Sequence, residues 1–156
     1  METEIVRLHE HIIMPCTSCR KCLTLGNCCI NDDMTNNIIP KLLRADIIII
    51  ASPVYFNNIS SYVKTFMDRT WCIRGKLKDK IGGGIVVGRG YGLELALTAI
   101  HSFMLKHQMI LGHRGISAQA YEKGEVLNNK RALSDIAEFA YRLYELTCRL
   151  RKYNQQ

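Results

Sequence analysis

No stretch of this sequence approaches the ~20 apolar residues that are needed to cross a bilayer. The segment Met1 to Glu10 carries scattered charges and lacks the charged-then-apolar order of a secretory signal. Internal repeats and low-complexity tracts are also absent. These absences predict a cytoplasmic protein. With 156 residues, of which 47% are hydrophobic and 22% charged, the chain suits one compact domain over residues 1–156.

Acidic residues are outnumbered by basic ones: the chain has 14 Asp and Glu and 21 Lys and Arg, which gives a formal net charge of +7. Such a surplus favours an acidic partner. The basic residues are spread along the chain, however, and the only cluster ends the last predicted helix, where cations complement the helix dipole. Nucleic acid is therefore not the predicted partner, whereas a small acidic electron carrier fits the charge.

Cysteine is plentiful, but the count of seven is odd, which argues against a disulfide framework. Two-residue gaps in PCTSCRKCLTLGNC let successive thiolates turn toward one centre, and the longer last gap lets the chain reach a fourth corner. Zinc also takes four thiolates, usually from two separated Cys-x-x-Cys pairs. The spacing favours one iron–sulfur cluster over zinc or an unmetallated set, with Cys29 as a substitute for the last ligand. The predicted ligands are Cys16, Cys19, Cys22 and Cys28, in a cysteine loop at residues 16–29.

Strands and amphipathic helices alternate along the rest of the chain. The run DIIIIASPVY predicts a strand buried on both faces, as in parallel sheets. Further strands are predicted at residues 85–87, with Gly82 to Gly84 as a loose start, and at 109–111, extending toward Ile116. Apolar stripes at residues 59–67, 93–104 and 133–150 predict helices. This alternation predicts an α/β fold with helices on both faces of the sheet.

The segment after the cysteine loop is expected to be helical but irregular. Asp32 and Asp33 are interpreted as N-caps of this helix. Pro40 is expected to kink or restart it, because proline lacks the amide that a helix interior uses.

Two loops that follow predicted strands are suited to a cofactor, because ligands bind beyond the carboxyl ends of parallel strands. SPVYFNN, residues 52–58, offers amides and two aromatic rings that can flank a planar ring. GRGYG, residues 88–92, allows close backbone approach and precedes a helix N-terminus. Both loops also have conformational explanations. Together they predict a site for a flat heteroaromatic cofactor such as a flavin.

The order of these segments resembles a known family. The cysteine run, Asp32-Asp33-Met34, Ala45-Asp46, SPVYF followed by KTFMDR, the glycine turn and Glu94 are similar to the iron–sulfur flavoproteins within the flavodoxin-like, NAD(P)H-dependent FMN reductase superfamily. The resemblance implies a flavodoxin-like, doubly wound parallel sheet and a four-iron four-sulfur cluster on the four cysteines. It also implies homo-oligomers, dimeric or tetrameric, and ferredoxins as electron carriers. It implies FMN bound by Ser52, Pro53, Val54, Tyr55, Phe56, Asn57, Gly88, Gly90 and Gly92.

One departure concerns the start of the chain, which lies about where the second strand of the family begins. The family's first strand and FMN phosphate loop are therefore expected to be missing, which makes the fold N-terminally shortened. In the 2-1-3-4-5 strand order that first strand is central. The predicted replacement is Glu4 to Ile13, or a strand from a neighbouring subunit. Weak FMN binding is expected if nothing replaces the phosphate loop.

The leading hypothesis is electron transfer through a four-iron four-sulfur cluster and FMN, with no catalytic side chain, because the cofactors carry the chemistry. One alternative is a shortened, non-catalytic relative that serves as a cluster- or zinc-binding subunit. Another is an FMN-only reductase whose cysteines stay empty.

Overall fold

The computed structural model describes residues 2–153, so Met1 and residues 154–156 of the predicted domain lie outside it. The helices are α1 (Cys22–Leu25), α2 (Ile39–Arg44), α3 (Ser61–Arg69), α4 (Leu93–Lys106) and α5 (Lys130–Tyr153). The strands are β1 (Ile47–Tyr55), β2 (Asn58–Ile59), β3 (Ile81–Gly88), β4 (Ile110–Leu111) and β5 (Ile116–Gln119). A π-helical turn, Met34–Ile38, leads into α2, and Pro40 lies in the first turn of α2, so the predicted restart is found there.

A parallel sheet is built around β3. Strand β1 runs along one edge of β3, from Ile47 opposite Ile81 to Pro53 opposite Val87. On the other edge, β4 and then β5 pair in parallel with β3, starting at Ile110 and Ile116. The short β2 returns antiparallel to the end of β1. The predicted α/β class is confirmed, and the predicted third strand is split into two pieces along one edge.

The glycines at the start of β3 belong to the strand, so the interpretation of Gly82 to Gly84 as a loose start is wrong. A Cβ atom on Gly82 would lie 2.6 Å from Met104 Sδ, and one on Gly84 would lie 2.7 Å from Leu97 Cδ1, both on α4. A Cβ atom on Gly83 would overlap the Phe139 ring of α5 on the opposite face. Three successive glycines therefore let a helix pack closely against each face of β3.

The two faces of the sheet are covered unequally. On one face, Ile48, Ile50 and Val86 join the main core with residues of α2, α3 and α4. On the other face, α5 packs Phe139 and Leu143 against β3 and β5. Burial alternates along β1, and Ile49 on the α5 face is 47% exposed. The prediction of a strand buried on both faces is therefore wrong for β1.

An uncovered apolar surface follows from this arrangement. Helix α5 contacts the β4–β5 connection through Arg142, which donates to the Gly112 carbonyl, and the start of β1 through Arg151, which pairs with Asp46. Nine residues separate the two arginines along α5, so at about 3.6 residues per turn they project in opposite directions from the helix. One side of α5 therefore faces the β4–β5 edge of the sheet, and the opposite side faces β1. The side toward β1 carries apolar residues that are exposed. We call the surface formed by Ile49, Ala51, Pro53, Ile136, Ala140 and Tyr144 the apolar notch.

The outer edge of β1 borders the apolar notch. Within residues 2–153, this edge pairs with β2 at Val54 and Tyr55 and with no strand between Ile47 and Pro53. The prediction that Glu4 to Ile13 fills this position is wrong, because that segment forms no strand and contains only a 3₁₀ turn, Leu8–Glu10. Three of its apolar side chains, Val6, Leu8 and Ile13, pack instead against the main core, whereas Ile5 and Ile12 are exposed.

Helix α5 is the longest helix, and its exposed positions mix charged residues with apolar and aromatic ones such as Ile136 and Tyr141. Within residues 2–153, no helix combines the length and the apolar character that a bilayer-spanning segment requires.

Candidate functional site

The first part of the cysteine loop, before α1, contains two residues with an unusual backbone conformation. Ser18 and Arg20 adopt left-handed backbone conformations, with φ of 54° and 58°. Helix α1 follows and ends at Gly26, whose φ of 71° suits a glycine C-cap. Cys16, Cys19 and Cys29 are exposed, whereas Cys22 and Cys28 are half-buried and pack against the main core. The loop thus places its thiols at two depths.

The structure brings two sulfurs of the loop together. Cys19 Sγ and Cys29 Sγ lie 3.5 Å apart. The backbone amide of Lys21, followed by the Cys29 thiol, lowers the pKa of Cys19, and the bond with Cys19 raises the pKa of Cys29. Cys29 was predicted only as a substitute ligand, yet it is the cysteine that approaches Cys19 most closely among the described contacts.

The predicted cluster ligands do not form a closed site. Within residues 2–153, no three Cys, His, Asp or Glu side chains are grouped closely enough to hold a metal ion. The donor chemistry nonetheless fits an iron–sulfur cluster, since all five cysteines of the loop are free thiols and such clusters take thiolate ligands. The loop therefore supplies the right donors without presenting them in a preformed cage.

A buried ion pair lies beneath the loop. Arg69, at the end of α3, has a side chain that is 0% exposed, and that of its partner Asp32 is 3% exposed. Arg69 Nη1 donates to Asp32 Oδ2 at 2.5 Å, and Nη2 donates to Asp32 Oδ1 at 3.0 Å. Such a two-pronged pair is favourable because the planar guanidinium matches the carboxylate.

Asp32 also ties the chain before the loop to the chain after it. It accepts hydrogen bonds from the Met14 amide at 2.9 Å and the Thr35 amide at 3.3 Å. Burial alone raises the pKa of Asp32, but the bonds from Arg69, Met14 and Thr35 outweigh burial and hold this pKa below its ordinary value. The predicted capping role is confirmed for Asp32 through the Thr35 contact, and the larger role of Asp32 is the ion pair. The capping prediction is wrong for Asp33, which makes no capping bond and instead accepts a hydrogen bond from the Ile12 amide.

The first candidate cofactor loop is a tight hairpin between β1 and β2. Tyr55 pairs with Asn58, so Phe56 and Asn57 form a two-residue turn. Both have left-handed φ values, of 49° and 61°, as a type I′ turn requires. This conformation is unusual for phenylalanine and displays its ring fully to solvent. Tyr55 beside it is also exposed, so the hairpin tip offers two aromatic rings and an amide side chain.

The glycine turn lies against this hairpin, at the carboxyl ends of neighbouring parallel strands. Gly92 has a φ of 70° and sits so close to the Asn57 backbone that a Cβ atom would overlap it. A Cβ atom on Gly88 would lie 2.8 Å from Val54 Cβ. Tyr91 is exposed beside these contacts. The structure thus joins the two candidate loops into one continuous surface.

The nine residues of the candidate FMN site differ in how freely they can meet a ligand. The Ser52 hydroxyl is buried; it donates to the Pro53 carbonyl and accepts from the Ser60 amide, so its bonds are local. Val54, Gly88 and Gly92 serve the packing between the loops. Pro53, Tyr55, Phe56 and Asn57 are exposed, as is Gly90, which lies beside the Gln119 side chain.

The functional residue that sequence reasoning missed is Arg69. Arg69 lies within KTFMDR, but its partner is 37 positions away, so no local spacing announces the pair. The one sequence signal for the burial of Arg69 is its position beside the apolar stripe of α3.

Solved structures with the same arrangement of elements define the class of fold. RosB, in a crystal structure with bound 8-demethyl-8-formylriboflavin-5'-phosphate, superposes with a TM-score of 0.76 at 15% identity, over 97% of this chain and 67% of that chain. The Trp repressor binding protein from Bacillus subtilis gives a TM-score of 0.59 at 23% identity, over 67% of this chain and 68% of that chain. The protein is therefore a flavodoxin-like α/β protein, as predicted.

Sequence similarity defines the family. Residues 1–122 match the NADPH-dependent FMN reductase family, and the chain belongs to it. An iron-sulfur flavoprotein of Methanocaldococcus jannaschii is 40% identical over 71% of this chain and 59% of its own length. One of Methanosarcina thermophila is 37% identical over 70% of this chain and 60% of its own length. The predicted resemblance to iron–sulfur flavoproteins is confirmed, and the chain spans about three fifths of these curated relatives.

Proposed function

We propose that the protein is a redox protein that uses FMN. The observation that carries this proposal is the contact between the hairpin tip and the glycine turn at the carboxyl ends of β1 and β3, in a member of the FMN reductase family. Ligands of open parallel sheets bind at this edge. The FMN ring supplies the electron-accepting chemistry when it is bound.

The chain's own residues have binding and orienting roles in this proposal. Tyr55 and Phe56 would flank the planar ring, and the Asn57 side chain would bond to its polar edge. Gly90 allows the backbone to approach the ring. Ser52, Val54, Gly88 and Gly92 support these groups from behind, because their own contacts are within the two loops. No side chain acts as an acid or a base.

We further propose that the cysteine loop holds a four-iron four-sulfur cluster on Cys16, Cys19, Cys22 and Cys28. The iron–sulfur names of the relatives and the thiol chemistry of the loop support this assignment. Cys29 remains the alternative fourth ligand, because its sulfur is 3.5 Å from that of Cys19.

Anaerobic reconstitution with ferrous iron, sulfide and FMN tests both cofactors. We expect about four irons per chain, with matching sulfide and bound FMN. The Cys28→Ser variant should lose most of the iron and keep FMN, whereas the matched Cys29→Ser variant should keep both. The opposite pattern would assign Cys29 as the ligand.

Other results of this experiment point to other functions. One zinc per chain without FMN would contradict the redox proposal and favour a non-catalytic zinc-binding subunit. FMN without iron would favour an FMN-only reductase. Iron and sulfide without FMN would leave a cluster-binding subunit as the function.

A second copy of this chain is the proposed occupant of the apolar notch. Two copies related by a twofold axis can pair their β1 edges antiparallel, which extends one sheet through both molecules. The two α5 helices would then lie about three strand spacings, or ~14 Å, apart. Close helix packing takes about 8–10 Å, so large side chains must fill the difference. Ile136 and Tyr144, 38% and 47% exposed, are placed to do so.

A charge in the notch should separate the two copies. We expect the wild-type protein to form an oligomer with this twofold interface and Ile49→Lys to halve its mass, because an ammonium group would be buried without a partner. Leu105→Lys is the control: Leu105 is 60% exposed but lies on α4, on the other face of the sheet. Light scattering coupled to size exclusion measures the masses. A monomeric wild-type protein, or an unchanged mass for Ile49→Lys, would contradict the proposal.

A small acidic electron carrier is the proposed redox partner. The net charge of +7 supports this, and so do the cations near the cysteine loop, namely Arg20 and Lys21 within it and Lys76, which donates to the Gly26 carbonyl at 3.5 Å. Complementary charge speeds the encounter of two proteins and weakens with salt.

A further inference from the structure

One arginine contacts both ends of the cysteine loop. On the side before the loop, Arg69 Nη1 donates to the Met14 carbonyl at 2.6 Å. On the side after it, Nη2 lies 3.5 Å from the Ile30 carbonyl and binds Asp32. Thr35 strengthens the second side, because its hydroxyl accepts from Nη2 at 3.2 Å and donates to the Ile30 carbonyl at 2.7 Å.

The same guanidinium reaches into the loop itself. Arg69 Nη2 lies 3.4 Å from Cys28 Sγ, within the range of an N–H···S hydrogen bond. Cys28 is half-buried against the core, so water competes less for its sulfur than for those of the exposed cysteines. Among the described contacts, Cys28 is the cysteine of the loop that has a cationic donor on its sulfur.

Packing alone does not explain a fully buried arginine at this position. Ion pairs of this depth are often no more stable than apolar residues of the same volume, because both charges lose their hydration. The contacts of Arg69 go to the two stems of the loop and to one predicted ligand. The position of the Arg69 side chain therefore suits a role in holding the cysteine loop in place.

We propose that Arg69 is a positioning residue for the cluster, which closes the stems of the cysteine loop and holds the sulfur of Cys28 by a hydrogen bond. The inference rests on the proposed function, because it assigns a role toward the cluster. Hydrogen bonds to ligand sulfurs stabilise the more negative, reduced form of a cluster and so raise its reduction potential. Partners of metal ligands typically change metal affinity about 10- to 100-fold when they are lost.

The Arg69→Lys variant tests this inference, because lysine keeps the positive charge and loses the fork that reaches several acceptors at once. In the reconstituted protein we expect a more negative reduction potential, an altered paramagnetic resonance spectrum of the reduced cluster, and iron affinity about 10- to 100-fold lower in competition with a chelator. Arg74→Lys is the matched control, because Arg74 is exposed and its guanidinium stacks on Trp71. It should leave all three quantities unchanged.

Hydrogen exchange of the metal-free protein gives a second readout, which is independent of the cluster. We expect Arg69→Lys to speed the exchange of amides in residues 14–32 and to leave α4 unaffected. If Arg69→Lys does not fold, Thr35→Val removes one acceptor and the Ile30 contact, and should produce smaller changes in the same direction.

The outcomes separate this inference from the proposed function. A wild-type protein that takes up no iron contradicts the cluster proposal and with it the role of Arg69 toward Cys28. Unchanged exchange in residues 14–32 contradicts the closing of the stems. A cluster whose potential is the same in wild type, Arg69→Lys and Thr35→Val overturns the inference while the cluster proposal stands.

Discussion

Replacing Asp32 with alanine is expected to lower the free energy of unfolding by about 3–5 kcal/mol, because it leaves the Arg69 charge buried without its partner. The substitution also removes the acceptor for the Met14 and Thr35 amides. Chemical denaturation of the metal-free protein, followed by circular dichroism, measures the change. This is the largest effect that we expect from a single side chain.

The Lys64–Asp68 pair offers a matched control. It joins the same kinds of charge across one turn of α3, but its side chains are 60% and 50% exposed. Exposed pairs of this kind contribute about 0.2–1 kcal/mol, so Asp68→Ala should change stability only slightly. Equal losses for Asp32→Ala and Asp68→Ala would show that the buried pair is not special.

The pH dependence of stability provides a further check on the same pair. Because the folded protein lowers the pKa of Asp32, the carboxylate stabilises the fold fully above its unfolded pKa of about 3.9. This contribution is lost as the pH falls through the folded value. The stability difference between wild type and Asp32→Asn should therefore be constant near neutral pH and shrink in acid. A difference that grows in acid would contradict the sign of the shift.

Replacing Gly83 with valine is expected to destabilise the fold by about 3 kcal/mol, at the upper end of the range for overpacked cores. The new side chain would overlap the Phe139 ring and lie against Leu143. Valine suits a strand better than glycine does, but that preference offsets only about 1 kcal/mol. Thermal and chemical denaturation both report the loss.

Two comparisons isolate the steric cause. Ser117→Val places the same side chain on an exposed position of β5 and should change stability by about 0.5 kcal/mol or less. Combining Gly83→Ala with Phe139→Leu should cost less than the sum of the two single changes, since the smaller residue makes room for the new methyl group. Simple additivity of these two changes would rule out the clash as the cause.

Much of the fold could be predicted because its signals are local. Four successive isoleucines are enough to mark β1, and the apolar stripes of α3, α4 and α5 mark three helices. The effect of Pro40 on the helix could be predicted from the sequence, because the proline ring constrains the backbone at that residue. In each case, the residues that carry the signal are the residues that form the element.

Features that depend on what lies across the sheet could not be predicted in this way. The exposed face of β1 has the same sequence pattern as a strand covered on both faces, because isoleucine suits either position. Taken alone, Gly82 to Gly84 indicate a flexible segment, because the sequence does not show that α4 and α5 pack closely against them. Glu4 to Ile13 has the composition of a strand, yet a strand forms only where a partner strand is within reach.

The candidate site shows the same division. The hairpin and the glycine turn could be located because parallel strands place their following loops together. Their contact through Gly92 and Asn57 depends on the tertiary fold and has no local signal. The ion pair between Asp32 and Arg69 joins distant positions through the tertiary fold, so local spacing could assign Asp32 only a capping role.

Within the part of the chain that the structure describes, the edge of β1 between Ile47 and Pro53 has no partner strand, which is a hazard as well as an opportunity for the molecule. Open amide and carbonyl groups beside apolar side chains are a template for any extended chain, including unfolded copies of the same protein. Ordered pairing between folded copies would consume these groups, and precipitation would consume them too. Pairing between folded copies and aggregation would use the same amide and carbonyl groups of β1. The tendency of the protein to aggregate would therefore depend on how quickly these groups pair with a folded copy after synthesis.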